Sequence, residues 1–395
     1  MKDVWTQEEI IPETRKINIK KIVIITAIIL ITVIAIIVIG VYNTNRQARN
    51  WIDINIFRKE VQQDKVATIE INESEATSIY SFNKYIGILN KTKFTIYGNT
   101  GSKEKELDIQ ISNPIYSSEN RFLAIAENKG QKIYSISDKE ISWEAEVEGN
   151  ISQVHINKNG YVAVVIVDTS YKTVIAMYNP NGTPIFKTYL SSRVVDVSIS
   201  NDNKFLAIAE VDTSGTIMQS NIKIIAIDKA EKEKTDSVEN AYQSEAGKLI
   251  TNIKYQEKNR LVCMYTDSIM ELENGQAKTL VDNQNKKVIF QSLNLNNYVC
   301  SIEEKSSGLF TADTLVNLIN ADNQEKKEYI ADSVARKIYT YGDIIALNLG
   351  TEVEFINTGG WLVKRYIANQ EITNIVVSNS LAGIIYRDKI EIINL

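Results

Sequence analysis

A single histidine, His155, in 395 residues excludes a histidine-rich zinc site and leaves a Ser–His–Asp arrangement only one candidate base. Two cysteines, Cys263 and Cys300, allow one disulfide at most. The chain has no phosphate loop, no dinucleotide fingerprint, no D-x-[DN]-x-[DN]-G calcium loop and no zinc-ligand spacing. It also lacks an excess of positive charge: the net charge is −5, and residues 1–42 hold five Lys and Arg against four Asp and Glu, leaving −6 for the remainder. A mildly acidic domain disfavours nucleic acid as a partner and an electrostatic hold on anionic lipid. With 44% apolar and 24% charged residues, disorder is excluded as well and a packed core is expected.

One long hydrophobic run is present. Ile22 to Val41 is 20 residues without a charge, ten of them Ile. At about 1.5 Å per residue a helix of this length spans roughly 30 Å, the thickness of a bilayer's hydrocarbon core. A cleaved signal peptide has an apolar stretch of about 7–15 residues and a small-x-small cleavage site. Val41-Tyr42-Asn43-Thr44-Asn45 offers no such site, so the run reads as an uncleaved anchor in contact with membrane lipid. Arg15, Lys16, Lys20 and Lys21 precede it and only Arg46 and Arg49 closely follow it, with Arg58 and Lys59 farther on. This asymmetry places the N-terminus in the cytoplasm and the C-terminal domain outside the cell membrane. Residues 1–21 are then a cytoplasmic tail, 22–42 the transmembrane helix and 43–65 a juxtamembrane stalk containing Trp51, Ile52, Ile54, Ile56 and Phe57.

From residue 66 to 395 the pattern changes to short runs of period-two alternation, such as Lys132-Ile-Tyr-Ser-Ile136 and Thr351-Glu-Val-Glu-Phe-Ile356, which read as half-buried strands. Hairpin signals separate them at Asn179-Pro-Asn-Gly182, Asn274-Gly275 and Thr358-Gly-Gly360. Phe122-Leu-Ala-Ile-Ala-Glu127 recurs identically as Phe205-Leu-Ala-Ile-Ala-Glu210, 83 residues later, or two units of about 42. Related copies begin at Tyr85, Tyr161, Leu261, Tyr298, Ile344 and Leu381. The third place of the eight copies holds Gly87, Ala124, Ala163, Ala207, Cys263, Cys300, Ala346 and Gly383. A further strand precedes each core, as in Ile151–Ile156, Val194–Ile199, Ile250–Tyr255 and Ile372–Val377. Four short strands every 40–50 residues describe a propeller blade, and a small third residue lets neighbouring sheets approach. The expected fold is all-β, an eight-bladed β-propeller with seven blades as the alternative, preceded by one transmembrane α-helix. The chain ends directly after a third strand, so the first strand, Val66–Ile71, should complete the last blade beside Lys389–Ile393. Asp228–Gly247, rich in Lys, Glu and Ser, reads as an inserted solvated loop or short helix.

Ile133-Tyr-Ser-Ile-Ser-Asp-Lys-Glu-Ile-Ser-Trp143 is similar to the strand, turn and Trp-bearing strand of quinoprotein-like and WD-type repeats, without the usual turn glycine. The whole layout, a short tail, one anchor and a divergent propeller, resembles an uncharacterised family of Gram-positive bacterial membrane proteins known as a domain of unknown function. That resemblance implies a fold and transfers no activity.

His155 falls where other blades carry Ser198, Lys254 and Val376, and an inter-blade or surface role is expected. Cys263 and Cys300 share one strand position in consecutive blades, farther apart than the roughly 7 Å Cα limit of a disulfide, and are expected as buried free thiols. Glu303-Glu304 and Glu8-Glu9 fit solvated surface, and Tyr265, Tyr298, Tyr341 and Tyr386 fit core or inter-blade packing. No catalytic, metal-ligating or cofactor-binding residue is assigned, and no cofactor is expected. The sequence favours a binding or scaffold module for a protein or envelope polymer. A propeller enzyme, either a quinoprotein-like dehydrogenase or a hydrolase, and a sensor acting through the cytoplasmic tail are the alternatives.

Overall fold

The apolar run and its flanks form one helix, α1 (Ile19–Thr44), followed after residue 66 by strands alone apart from two short helical turns in the computed structural model. The structure describes residues 19–44, 48, 51, 52, 56, 67–72, 78–167, 169–234, 237–273, 275–306, 308 and 312–395. The tail cations Arg15 and Lys16, the acids Glu8 and Glu9, and the stalk residues Arg46, Arg49, Ile54, Phe57, Arg58 and Lys59 lie outside them. The chain divides into two units, residues 1–60 and 61–395. In the first, Val23–Asn43 is long and apolar enough to cross a membrane, as a membrane anchor or a signal sequence both are, and the large apolar side chains from Val23 to Val41 are exposed.

The second unit is an eight-bladed propeller of four-stranded antiparallel sheets. Blades 1 to 7 occupy residues 78–108, 114–146, 150–190, 193–243, 250–282, 288–331 and 337–367, and blade 8 combines 374–394 with Ala67–Glu70. Each core copy of the repeat is the second strand of a blade. The preceding run is the innermost strand. The ring closes as expected: Ala67, Thr68, Ile69 and Glu70 lie opposite Ile392, Glu391, Ile390 and Lys389, so the first strand becomes the outer strand of the last blade.

Burial follows position within the blade. Second strands are apolar over most of their length, and Phe122–Ala126 and Val162–Ile166 are buried on both faces because a neighbouring sheet covers each. Third strands were expected to be half-buried, yet Ile133–Ile136 and Val353–Ile356 are buried on both sides for the same reason. The cost of burying Glu354 in such a strand is offset by the Arg365 guanidinium at 2.6 Å and the Tyr329 hydroxyl at 2.9 Å. Outer strands such as Lys103–Asp108 are charged and mostly exposed, a composition that discourages pairing with other chains. Asp228–Gly247 is only partly an insertion: α2 (Ile227–Glu233) leads into Val238–Gln243, the outer strand of blade 4.

The small third residue faces the following blade in seven copies. Ala124, Ala163 and Ala207 pack with blades 3, 4 and 5 respectively. The close contacts behind the requirement differ from place to place. A Cβ on Gly383 would meet Ile86 of blade 1 at 3.1 Å, whereas one on Gly87 would lie 2.2 Å from Phe94 of its own sheet. Blade 5 departs from the expected alignment. Cys263 packs backward with Ala207 and Ala209 of blade 4, and Val262 faces blade 6 with Leu293 and Val299. The two cysteines therefore do not share a position. Side chains alternate along a strand, so Cys300, next to Val299, points toward blade 7, and a one-residue slip has turned Cys263 to the opposite face. Both thiols are buried and free, as expected.

Candidate functional site

The innermost strands of all eight blades line one central cavity of about 700 Å³. Each of these strands has one free edge, and most of what it turns toward the axis is polar. Hydrogen bonds join every adjacent pair of blades along this wall and its rim. They run from Asn83 N–H to Asn120 O between blades 1 and 2, and from Ile156 N–H to Ser117 Oγ between 2 and 3. Asn157 Nδ2 donates to Ser200 O and Asn201 Nδ2 to Gln256 O, spanning blades 3, 4 and 5. Gln256 Nε2 reaches Tyr298 O in blade 6, and Asn296 N–H reaches Gly342 O in blade 7. The Tyr339 hydroxyl donates to Asn374 Oδ1 in blade 8, whose Val377 carbonyl accepts from Ser81 Oγ in blade 1. Asn83 and Asn120 take positive φ in the tight turns after their strands, a conformation asparagine tolerates better than most residues.

Two further contacts cross the lumen. Lys254 of blade 5 pairs with Glu119 of blade 2 at 3.0 Å, and the Tyr341 hydroxyl of blade 7 accepts from Asn120 N–H. In a ring of eight, blade 2 is three places from both of these partners, so each bond must pass over the axis. Glu119 and Tyr341 end their innermost strands and Lys254 is one residue from the end of its own, so both contacts lie at one mouth. Burial first, and then the Glu119 charge, push the Tyr341 phenol well above its ordinary range and keep it neutral.

His155 is brought into the wall. Its Nε2 is 3.1 Å from Gln153 Oε1 and 3.7 Å from Asp196 Oδ1 of the next blade. Asp196 is largely committed, accepting the N–H groups of Val197 at 2.9 Å and Ile253 at 2.8 Å. Burial lowers the histidine pKa and the aspartate charge only partly opposes this, so the imidazole is neutral at pH 7. Burial likewise pushes the Cys300 thiol up to about 12 and raises the Cys263 thiol strongly, which leaves neither as a nucleophile. The inter-blade reading of His155 holds.

Tyr265 and Tyr386 are buried and Tyr298 is half-buried, so of the four tyrosines singled out only Tyr341 reaches the channel. Glu303 and Glu304 are ion-paired with Lys286 and Lys287 at 3.4 and 2.5 Å. Missed from sequence were Tyr116, Glu119, Lys254 and Lys337, all on the innermost strands. Their common strand position is a readable signal, but its convergence on one axis is not. Among the described residues no group of three or more His, Cys, Asp and Glu is placed to hold a metal.

Residues 58–395 match the model of a family described as a family of unknown function, DUF5711. No curated protein matches the sequence. The propeller is similar to BamB from Moraxella catarrhalis, with 13% identity, a TM-score of 0.50, and 84% of this chain and 99% of that one covered. AztD from Citrobacter koseri gives 10% identity, a TM-score of 0.50, and 79% and 91% coverage. Chaetomium thermophilum Sqt1, bound to the N-terminus of ribosomal protein L10, gives 10%, 0.51, and 83% and 99%. At these identities the likeness is one of fold alone.

Proposed function

We propose, from the premise that the chain belongs to the DUF5711 family, that it is a membrane-anchored β-propeller presenting a rigid binding platform to a protein partner outside the cytoplasm. The observation that carries this reading is the closed ring in which every blade is hydrogen-bonded to both neighbours. Such a ring keeps its loops in one arrangement and loses little conformational entropy when a partner binds. α1 serves as the anchor, with residues 1–21 in the cytoplasm and 43–65 as the stalk, on the strength of the flanking cations. Tethering raises the local concentration of the platform at the membrane, so modest intrinsic affinity suffices. Sqt1, a propeller of similar fold, is bound to the N-terminus of another protein, which favours a protein over an envelope polymer.

The test is photocrosslinking from the full chain in native membranes, with the reactive group at Asn201 on the rim or at Lys105 on an outer strand. The reading expects one recurrent protein from the rim position. Turnover of a defined substrate without a crosslinked protein would favour the propeller enzyme instead. Protease treatment of intact cells should degrade the propeller and spare the tail; the reverse pattern would overturn the orientation.

A further inference from the structure

The channel carries more than the platform reading uses, because its charges are distributed unequally between its two mouths. At the mouth nearest the turns into the second strands, Glu119 and Lys254 neutralise each other and, with Tyr341 and Asn120, bar the axis. Midway, the Asp196 carboxylate is taken up by two backbone N–H groups. At the opposite mouth, where the innermost strands begin, the charge on the wall is Lys337, the exposed first residue of its strand. Its ammonium is held by Asn374 Oδ1 at 3.2 Å and over the Tyr339 ring at 5.0 Å, and among the described residues it has no carboxylate within ion-pair distance. An ammonium has three donors, and two remain.

Two other residues of the lining point the same way. Gln291, on the adjacent innermost strand, also lines the cavity, and its buried Nε2 has no acceptor among the described residues. A buried amide donor without a partner costs about 1–3 kcal/mol, which the side chain would recover by turning its amide toward an acceptor that a ligand brings into the lumen. Across the lumen, Tyr116 lines the same cavity yet is half exposed, with its ring braced at 4.5 Å against Tyr80. A braced and accessible aromatic face is a surface for the body of a ligand.

We propose that the channel is a one-ended pocket for a carboxylate-bearing ligand, with Lys337 and Gln291 meeting the carboxylate and Tyr116 packing against the rest of the molecule. The ligand enters where the innermost strands begin and stops at the Glu119–Lys254 bar. A cavity of about 700 Å³ suits a molecule of a few residues' size. The carboxylate belongs to a free small acid or to the end of a peptide chain. This assignment does not depend on the protein-partner reading.

The test uses the full chain in detergent micelles and three probes: N-acetyl-trialanine with a free C-terminal carboxylate, the same peptide as its C-terminal amide, and acetate. Calorimetry and saturation-transfer NMR report binding. The free acid should bind with one-to-one stoichiometry and the amide about tenfold more weakly, the worth of one charge-assisted hydrogen bond. Lys337→Gln should remove that preference without altering the affinity for the amide, and Lys337→Arg should retain it. Tyr116→Ala should weaken both peptides, and Lys84→Gln, a cation away from the cavity, should change neither. Acetate binding as well as the peptide identifies small free acids as the source, whereas binding of the peptide alone identifies a chain terminus. Equal affinity for acid and amide, a preference that survives Lys337→Gln, or no binding of any probe would overturn the proposal.

Discussion

His155 couples the ring to pH in one direction only. Its folded pKa lies below the ordinary 6.5 because burial penalises the imidazolium. Above pH 6.5 both folded and unfolded chains carry the neutral ring, so the residue contributes no pH dependence there. As pH falls below 6.5 the unfolded chain takes up the proton first, and stability declines until the lowered folded pKa is reached, by at most about 1.4 kcal/mol per pH unit. Since His155 is the only histidine, the comparison with its own variant isolates the imidazole from the carboxylates. Thermal unfolding followed at pH 7.5 and 5.5 should show a larger loss for the unmodified chain than for His155→Gln. Identical losses would mean that the imidazole is as readily protonated in the folded ring as outside it.

At the scale of one strand, the small third residue serves two different neighbours. At Gly87 the obstacle is Phe94, itself fully buried in the core between blades 1 and 2 and without room to turn aside. Gly87→Ala should therefore lower stability by about 1–3 kcal/mol, the usual cost of overpacking a filled core. Adding Phe94→Leu should recover part of that loss. Gly383→Ala should cost less, because the nearest atoms, on Val376, Ile86 and Ile390, lie at 3.0–3.2 Å and belong to side-chain ends. Urea unfolding with an unchanged slope would measure all three; equal costs for Gly87→Ala and Gly383→Ala would refute the distinction.

Over the whole molecule, ring closure rests on four residue pairs between the two ends of the propeller chain. Without Ala67–Glu70, Lys389–Asn394 becomes an open edge and Ile69, which packs with Ile390 and Ile392, is lost from the blade 8 interface. A chain lacking residues 67–70 should unfold at a clearly lower temperature and self-associate through the exposed edge, as size-exclusion chromatography with light scattering would show. A monomer of unchanged melting temperature would mean that the remaining inter-blade bonds suffice to hold the ring.

Much of this architecture was legible because its causes are local or periodic. The anchor-length run needs only composition, and the eight blades need only a recurring strand whose small residue repeats about every 42 positions. Period-two alternation also carries the risk that misplaced Cys263: two candidate registers differ by one residue, and only the neighbouring blades decide which face is which. Lys337, Gln291, Tyr116 and the Glu119–Lys254 bar were legible as innermost-strand residues but not as one group. They come from four different blades, up to 221 residues apart in the chain, and ordinary polar side chains acquire a shared chemistry only when closure brings their strands to one axis. The sequence determined the blade; the curvature of eight packed sheets decided what meets at the centre, because convergence depends on the angle between sheets and no single stretch of chain encodes it.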